Sequence, residues 1–223
     1  MSIQLKMSTG ITEDDILEDH YNYFNFEIIY RNESLIQDDP NYQKVAGKGS
    51  VGLYLVERAH AYNEPGILIL SFMESMQKKV YEELFEPCSM GLKEKYEIPV
   101  IERFRSLNVL VINRIEVLPE FRGKGFFKRT VNLLRHFFYG CYGIEAAYAI
   151  PAQYGETFED EQEQTSWRQE MQYGKFSQDP RLARKAIRNL MKKSQYSRTR
   201  NTDIYYHIPG KSGIFRDADY FLT

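Results

Sequence analysis

A glycine-containing turn near the middle of the chain has the residue types that bind phosphate. Gly123 and Gly125 stand between an apolar, β-branched stretch and a segment with helical periodicity. At the start of a helix several backbone N–H groups lack an intrahelical partner, and the helix dipole adds partial positive charge. Glycines let a ligand approach that backbone without a Cβ in the way. Four cations surround the turn and favour a polyanion such as a pyrophosphate: Arg122, Lys124, Lys128 and Arg129.

The elements on both sides of this turn are visible in the pattern of apolar residues. Residues 108–118 are typical of a strand, and Pro119 would end it. A second strand is predicted over 144–150, stopped by Pro151. Between the strands, apolar residues at steps of four, three and four predict a helix that ends by Gly140: Phe127, Val131, Leu134 and Phe138. The order strand, glycine turn, helix and strand is a βαβ unit.

Aromatic, β-branched and alternating stretches predict further strands, and apolar residues at helical spacing predict further helices. The most basic of these segments also carries apolar residues, which indicates a helix with one buried face. The predicted strands lie at 22–30, 50–59, 204–208 and 220–222, and the predicted helices at 69–85, 98–105 and 181–193.

A second glycine-rich run, Gly47 to Gly52, matches the spacing Gly-x-Gly-x-x-Gly. That spacing binds a dinucleotide only where it follows a strand and opens a helix. Here a short polar stretch precedes it and an alternating stretch follows, so we predict a hairpin turn. The four histidines lie far apart, and none pairs with another His or Cys at metal-ligand spacing, so no metal site is predicted.

Composition limits the classes of partner. The chain has 223 residues, of which 43% are hydrophobic, so it fits one large domain with a packed core. A formal net charge of -2 gives no general attraction to nucleic acid or to an anionic membrane. No apolar run approaches the roughly 18–20 residues of a membrane span. Two cysteines and a polar, acidic start predict a cytoplasmic protein with free thiols.

The residues around the glycine turn resemble the acetyl-CoA signature of the GCN5-related N-acetyltransferase (GNAT) family. In that family an apolar strand ends in Val-x-Pro-Glu, and Arg/Gln-x-x-Gly-x-Gly/Ala follows. The close resemblance spans residues 115–130 and departs at Phe127, where the family usually has Gly or Ala. The matching positions are Val117, Pro119, Glu120, Arg122, Gly123, Lys124 and Gly125.

The resemblance implies a fold and a co-substrate. The fold is α/β in the α+β sense, with a mixed, mostly antiparallel central sheet flanked by helices and splayed in its middle. One domain would span 1–223, and insertions near 66–105 and 154–180 would build an acceptor pocket. Acetyl-CoA is the implied co-substrate, without a metal. Its implied contacts are Ile115, Glu116 and Val117 at the pantetheine arm and acetyl group, and Arg122, Gly123, Lys124, Gly125, Phe126, Phe127 and Lys128 at the pyrophosphate.

The implied reaction has two proton transfers that side chains could assist, removal of a proton from the amine and protonation of the departing thiolate. Glu116, on the strand beside the implied thioester, is the candidate general base; alternatively it faces solvent or pairs with Arg114. Residues 186–196 resemble the family helix whose Tyr protonates the departing thiolate, but Met191 stands at that place and cannot donate a proton. Tyr196 and Tyr205 are the alternative donors; otherwise solvent protonates the thiolate or the enzyme is impaired.

Two functions of different classes are therefore predicted. One is an N-acetyltransferase acting on a primary amine; the other is a non-catalytic acetyl-CoA-binding or regulatory protein, which Phe127 and Met191 favour. Transfer of a longer acyl group is a third. The acidic run 156–163 is either a solvated loop or a negative rim that attracts a cationic amine, and the sequence does not identify the acceptor. Family members suggest a homodimer, and the sequence leaves the oligomeric state open.

Overall fold

A computed structural model describes residues 2–9, 21–31, 43–56, 75–84, 93, 108–151, 167, 169–200 and 202–209. Within these residues the chain forms one seven-stranded sheet with helices on both faces. The elements in chain order are β1 (Ser2–Thr9), β2 (Tyr21–Arg31), β3 (Lys44–Tyr54), α1 (Ser75–Leu84), β4 (Val109–Val117), α2 (Phe126–Phe137), β5 (Ile144–Tyr148), α3 (Pro180–Lys193), β6 (Ser197–Arg198) and β7 (Ile204–His207).

The sheet is mixed and mostly antiparallel, which confirms that part of the predicted fold class. Its strand order is β1-β2-β3-β4-β5-β7-β6. Only the β4–β5 pair is parallel, because α2 forms the crossover between these two strands. The other neighbours pair antiparallel. The β4–α2–β5 unit therefore lies at the centre of the sheet, and the glycine turn lies at its β4 end.

Several predicted elements agree with the structure, and two strands were not predicted. The segments at 22–30, 108–118, 144–150, 181–193 and 204–208 correspond to β2, β4, β5, α3 and β7. Neither β1 nor the two-residue β6 was expected. The predicted helix at 98–105, the strand at 220–222, the acidic run 156–163 and most of both predicted insertions lie outside the described residues.

The hairpin predicted at Gly47 to Gly52 is wrong, because this run lies inside β3. Glycine is required there by close packing rather than by a turn. A Cβ at Gly49 would lie 2.3 Å from the Phe26 ring and 2.4 Å from the Arg114 carbonyl oxygen. A Cβ at Gly52 would lie 2.3 Å from the Tyr21 ring. These glycines let two aromatic side chains of β2 lie flat across β3.

A bulge in β4 determines which of its later side chains face α2 and which face the opposite side of the sheet. Ser50 pairs with Arg114 and Val51 pairs with Ile112, so Asn113 is an extra residue in the strand. An extra residue moves every later side chain to the opposite face of the sheet. Ile115 and Val117 consequently pack with the core beneath α2, whereas Glu116 faces the α1 side.

Candidate functional site

The glycine turn between β4 and α2 has left-handed backbone at both glycines. A short 3-10 helix, Pro119–Phe121, follows β4, and α2 begins at Phe126. Gly123 has φ of 75° and Gly125 has φ of 80°. Non-glycine residues rarely adopt these angles, so glycine is the residue type that forms this turn without strain. Gly125 is the N-cap of α2 and offers no side chain to the first-turn amides.

Gly123, Lys124, Gly125 and Lys128 of this turn are exposed to solvent, whereas Phe126 is buried. Arg122 N–H donates to the Pro119 carbonyl at 3.3 Å, and Arg129 N–H donates to the Gly125 carbonyl at 3.1 Å. Between them, the N–H groups of residues 123–128 donate to no acceptor within the described residues. No acidic side chain lies in the first turn of α2. These amides and the positive end of the helix dipole favour an anion at this turn.

The four cations predicted around the turn divide into two groups. Lys124, Lys128 and Arg129 are exposed beside the free amides. Arg122 instead points back into the protein, where its Nε donates to the Val117 carbonyl at 2.9 Å and its Nη2 to the Met171 carbonyl at 2.5 Å. Burial lowers the pKa of Arg122, against the opposing effect of Tyr173 and Glu116. Arg122 therefore holds the turn in place, and the three exposed cations supply charge for a ligand.

Phe127 contacts the core beneath α2, while its N–H lies in the free first turn. The phenyl ring and the amide of one residue therefore serve different parts of the structure. This is the arrangement that lets a bulky residue stand where the family usually has Gly or Ala. Phe126 is also buried in this core, where its ring lies 5.1 Å from the Phe121 ring.

Within the described residues, one edge of β4 has no partner strand where the strand approaches the turn. Parallel pairing with β5 ends at the Ile112–Ala147 pair, and β4 continues for five more residues to Val117. On the opposite edge, pairing with β3 continues, and Leu118 N–H donates to the Ala46 carbonyl at 2.8 Å. Because N–H groups alternate between the edges of a strand, those of Ile115 and Val117 face the open edge. The strand thus presents main-chain donors to the gap between β4 and β5.

Glu116 is a buried carboxylate that accepts hydrogen bonds on both oxygens. It is 5% exposed. Trp167 Nε1 donates to Oε2 at 2.5 Å, Tyr173 Oη donates to Oε1 at 2.5 Å, and Arg114 Nη2 lies 2.5 Å from Oε1. The alternative in which Glu116 pairs with Arg114 therefore holds, whereas the solvent-facing one does not. A proton taken from a substrate would have to displace one of these donors.

The segment formed by Trp167 and residues 169–176, which we term the strap, covers this end of β4. Its attachments to Glu116 are the indole and phenol of Trp167 and Tyr173. A third attachment is the Met171 carbonyl on Arg122, whose guanidinium also lies 4.2 Å from the Phe176 ring centroid. The strap consequently joins the carboxylate of β4 to the glycine turn through one set of contacts.

Trp167 and Tyr173 are not among the residues that the sequence predicts to contact the co-substrate or to transfer protons. Their hydrogen bonds to Glu116 span 51 and 57 residues of chain, and no local pattern indicates them. Lys48 of β3 joins the same cluster: it pairs in register with Glu116, and its Nζ lies 4.9 Å from the Trp167 ring centroid. The face opposite α2 thus combines a carboxylate, cations and aromatic rings.

The structure places Tyr196 in a separate buried network. Its Oη donates to Glu145 Oε1, and Arg135 Nε donates to Glu145 Oε2 at 2.7 Å. Burial and the nearby Glu145 carboxylate raise the pKa of Tyr196. Glu145 is paired with Leu110 of β4, seven residues before Val117, so this network lies toward the far end of β4 from the turn. Tyr196 is therefore not brought together with Glu116.

The other two positions considered for thiolate protonation are also occupied by structural contacts. Met191 is buried in the core beneath α2. Tyr205 belongs to the same core, and its hydroxyl interacts with Arg188 of α3. Burial raises the pKa of Tyr205, partly opposed by Arg198 and Arg188. Neither position supplies an exposed hydroxyl at the open edge of β4.

His207 is a buried histidine beside the same network and gives a pH-dependent prediction. Its Nδ1–H donates to the Gln195 carbonyl at 3.2 Å, and its ring contacts that of Tyr196. Burial, with a further effect from Arg135, lowers its pKa from 6.5 to about 4. Between these pH values the folded protein therefore binds fewer protons than the unfolded protein. The contribution of neutral His207 to the free energy of unfolding is full above pH 6.5 and is lost as the pH falls to 4. The loss should amount to about 3 kcal/mol.

Urea unfolding at several pH values between 4 and 7 measures this effect. In His207→Gln, whose amide can still donate to Gln195, the free energy of unfolding should fall less over this range than in the wild type. Equal pH dependence of the two proteins would contradict a neutral, buried His207.

Comparison with models of known protein families, with curated proteins and with solved structures finds no match. Among the described residues, no group of three His, Cys, Asp or Glu side chains is arranged to hold a metal ion. None of the helices in the described ranges combines the length and apolar character needed to cross a membrane. Within the described residues, the structure combines a mixed sheet, a glycine turn at the start of α2 and a buried carboxylate beside a strand edge that lacks a partner strand.

Proposed function

We propose that this chain is an N-acetyltransferase on the GNAT fold, which moves an acetyl group from acetyl-CoA to a primary amine by direct attack. One observation carries the proposal: β4 loses its parallel partner after Ile112 and then runs into a turn whose amides are free within the described residues. A strand edge and an anion site are thereby continuous. This is the shape required by a ligand with a diphosphate at one end and an amide-bearing arm at the other.

The residues present fit coenzyme A. The amides of residues 123–128 suit the diphosphate because the donors are already in place, and Lys124, Lys128 and Arg129 add charge. The pantetheine arm carries two amide groups, and the edge from Ile115 to Val117 would pair with them as a sheet edge pairs with an added strand. The thioester would then lie beside Glu116.

The chemistry assigned to the protein is modest. A neutral amine attacks the thioester carbonyl, and the oxygen gains negative charge in the tetrahedral intermediate. Val117 N–H faces the open edge and would stabilise this oxyanion, a contribution that can reach several kcal/mol in a site without water. Glu116 would take the amine proton by exchanging one of its three donors. The reaction needs no covalent enzyme intermediate, since the thioester is itself activated.

A non-catalytic acetyl-CoA-binding protein is the second candidate. Two observations favour it: Met191 is buried in the core, and both oxygens of Glu116 already accept hydrogen bonds. Such a protein would use the same turn and strand edge. It differs only in leaving the thioester intact.

Calorimetry and a thiol-release assay separate the candidates. Titration with CoA and with acetyl-CoA should give saturable heat. Thiol release from acetyl-CoA should then depend on an amine from a panel of a lysine-containing peptide, a polyamine and an α-amino acid amide. Binding without release for every amine would favour the non-catalytic protein, tighter binding of a long-chain acyl-CoA would favour longer acyl transfer, and absence of heat would reject all three.

A further inference from the structure

The proposed reaction leaves a thiolate that must acquire a proton. The structure reduces the number of side chains that could donate this proton. Met191 has no proton to give and is buried. Tyr196 is committed to Glu145, and Tyr205 to the α3 side of the core. Among the described residues, one hydroxyl lies against the carboxylate at the end of β4, and it belongs to the strap.

Tyr173 is held at this position from two directions. Its Oη donates to Glu116 Oε1 at 2.5 Å, and Arg114 Nη2 lies 3.5 Å from the Tyr173 Oη. The chain two residues before it is fixed by the bond from Arg122 to the Met171 carbonyl. Glu116 lies between Ile115 and Val117, the residues whose N–H groups face the open edge, so the phenol is held on the same stretch of β4. Ring stacking on Phe176 at 6.1 Å also orients the phenol.

Tyr173 is protonated at neutral pH. Burial raises its pKa to about 12, with additional effects of the hydrogen bond to Glu116 and of its charge, against the opposing effect of Arg114. The raised pKa disfavours proton transfer from the phenol alone, so transfer to the sulfur anion has to be coupled to return of a proton from protonated Glu116. The adjacent carboxylate can return a proton to it, because the two groups already share a short hydrogen bond.

We propose that Tyr173 protonates the departing thiolate and is reprotonated through Glu116; this inference rests on the proposed acetyltransferase function. The amine nitrogen forms a bond to the carbonyl carbon, and the carbon–sulfur bond breaks with its electron pair on sulfur. The extra proton on nitrogen passes to Glu116, the Tyr173 proton passes to sulfur, and the Glu116 proton passes to the Tyr173 oxygen. The products are the amide and the free thiol, and both side chains regain their starting states.

Tyr173→Phe tests the inference in the full chain. With acetyl-CoA and the amine found active in the panel, kcat should fall by about 10²-fold to 10³-fold, within the range of general-acid catalysis. The KM for acetyl-CoA should change less than about 3-fold, because the phenol makes no proposed contact with the diphosphate. Tyr206→Phe, at a half-buried tyrosine of β7, is the matched control and should retain the wild-type kcat.

The leaving group distinguishes acid catalysis from a structural role. An acetyl thioester of 4-nitrothiophenol releases a far weaker base than CoA thiolate, so the defect of Tyr173→Phe should shrink to less than about 10-fold. Trp167→Phe removes the other neutral donor to Glu116 without removing an acid, and its effect should be the same with both thioesters.

The outcomes separate the two proposals. If wild-type protein releases no thiol with any amine, the proposed function fails and the inference falls with it. If the wild type is active and Tyr173→Phe keeps its kcat, or loses equal activity with both thioesters, Tyr173 is not the acid and the acetyltransferase function stands. Circular dichroism of each variant identifies any loss that comes from unfolding.

Discussion

Replacing Glu145 with alanine is expected to lower the free energy of unfolding by about 3–5 kcal/mol. Glu145 is fully buried at the start of β5, where it accepts hydrogen bonds from Arg135, Tyr142 and Tyr196. Removing it leaves the Arg135 guanidinium as a buried charge without its counterion. One guanidinium nitrogen, Nη1, already has no partner within the described residues, so the network has no spare acceptor. Urea unfolding at pH 7 measures the change.

Two variants show whether charge or packing is responsible. Glu27→Ala breaks the exposed contact between Lys6 and Glu27 at 3.8 Å on two neighbouring strands, and should cost less than about 1 kcal/mol. The double variant Glu145→Leu with Arg135→Met removes the uncompensated charge and should recover part of the stability lost in Glu145→Ala. The remaining loss comes from the buried hydroxyls of Tyr142 and Tyr196, which keep no acceptor at Glu145. A loss below about 1 kcal/mol in Glu145→Ala would mean that the pair is not buried as described.

This network also shows why the surroundings of Tyr196 are not visible in the sequence. The resemblance of residues 186–196 to the family helix made Tyr196 a candidate proton donor, whereas its partners in the structure, Arg135 and Glu145, come from α2 and β5. A contact between three separate elements leaves no local pattern. The same holds for Glu116, whose three donors lie two, 51 and 57 residues away.

The parts that were predictable are those with a strong local period. The apolar stripe of α2 and the β-branched run of β4 are set by burial on one face, which leaves a direct record in the sequence. In β1 the same record exists, because Ile3, Leu5 and Met7 alternate and pack toward the core beneath α2. This alternation is a sequence signal from which β1 is predictable.

Glycine is required in this chain for two different structural reasons, and the sequence alone does not distinguish them. Gly123 and Gly125 have left-handed backbone in a turn, and a Cβ there would meet nothing within 4 Å. Gly49 lies in an extended strand and is required because Phe26 crosses it. The spacing of glycines was informative only at the turn, where a strand precedes and a helix follows. In β3 the cause is a packing partner on another strand.

Reversing the charge of Lys128 is expected to stabilise the free protein while weakening coenzyme A binding. Lys128 is exposed at the third position of α2, where the first turn holds no acidic residue. A glutamate there complements the helix dipole and should add about 0.3–1 kcal/mol of stability. The same substitution changes the side-chain charge from +1 to −1, which repels a diphosphate bound at the free amides. At about 6 Å in water each charge pair is worth about 0.7 kcal/mol, so two charge units against the two charges of a diphosphate are worth about 3 kcal/mol without salt. A Debye length of about 8 Å roughly halves this energy, so the Kd for CoA should rise about 10-fold.

The opposite signs make this experiment decisive for the location of the site. Calorimetry with CoA and thermal unfolding without ligand are measured on Lys128→Glu and on Lys192→Glu, which makes the same charge change in the last turn of α3. Lys192→Glu should leave the Kd within about 3-fold and should slightly lower stability, since an acid there opposes the helix dipole. Inorganic pyrophosphate should compete with CoA in the wild type and should do so more weakly in Lys128→Glu. If Lys128→Glu binds CoA as the wild type does, the free amides of the turn do not hold the diphosphate, because no arrangement with the anion at those donors is insensitive to a carboxylate beside them.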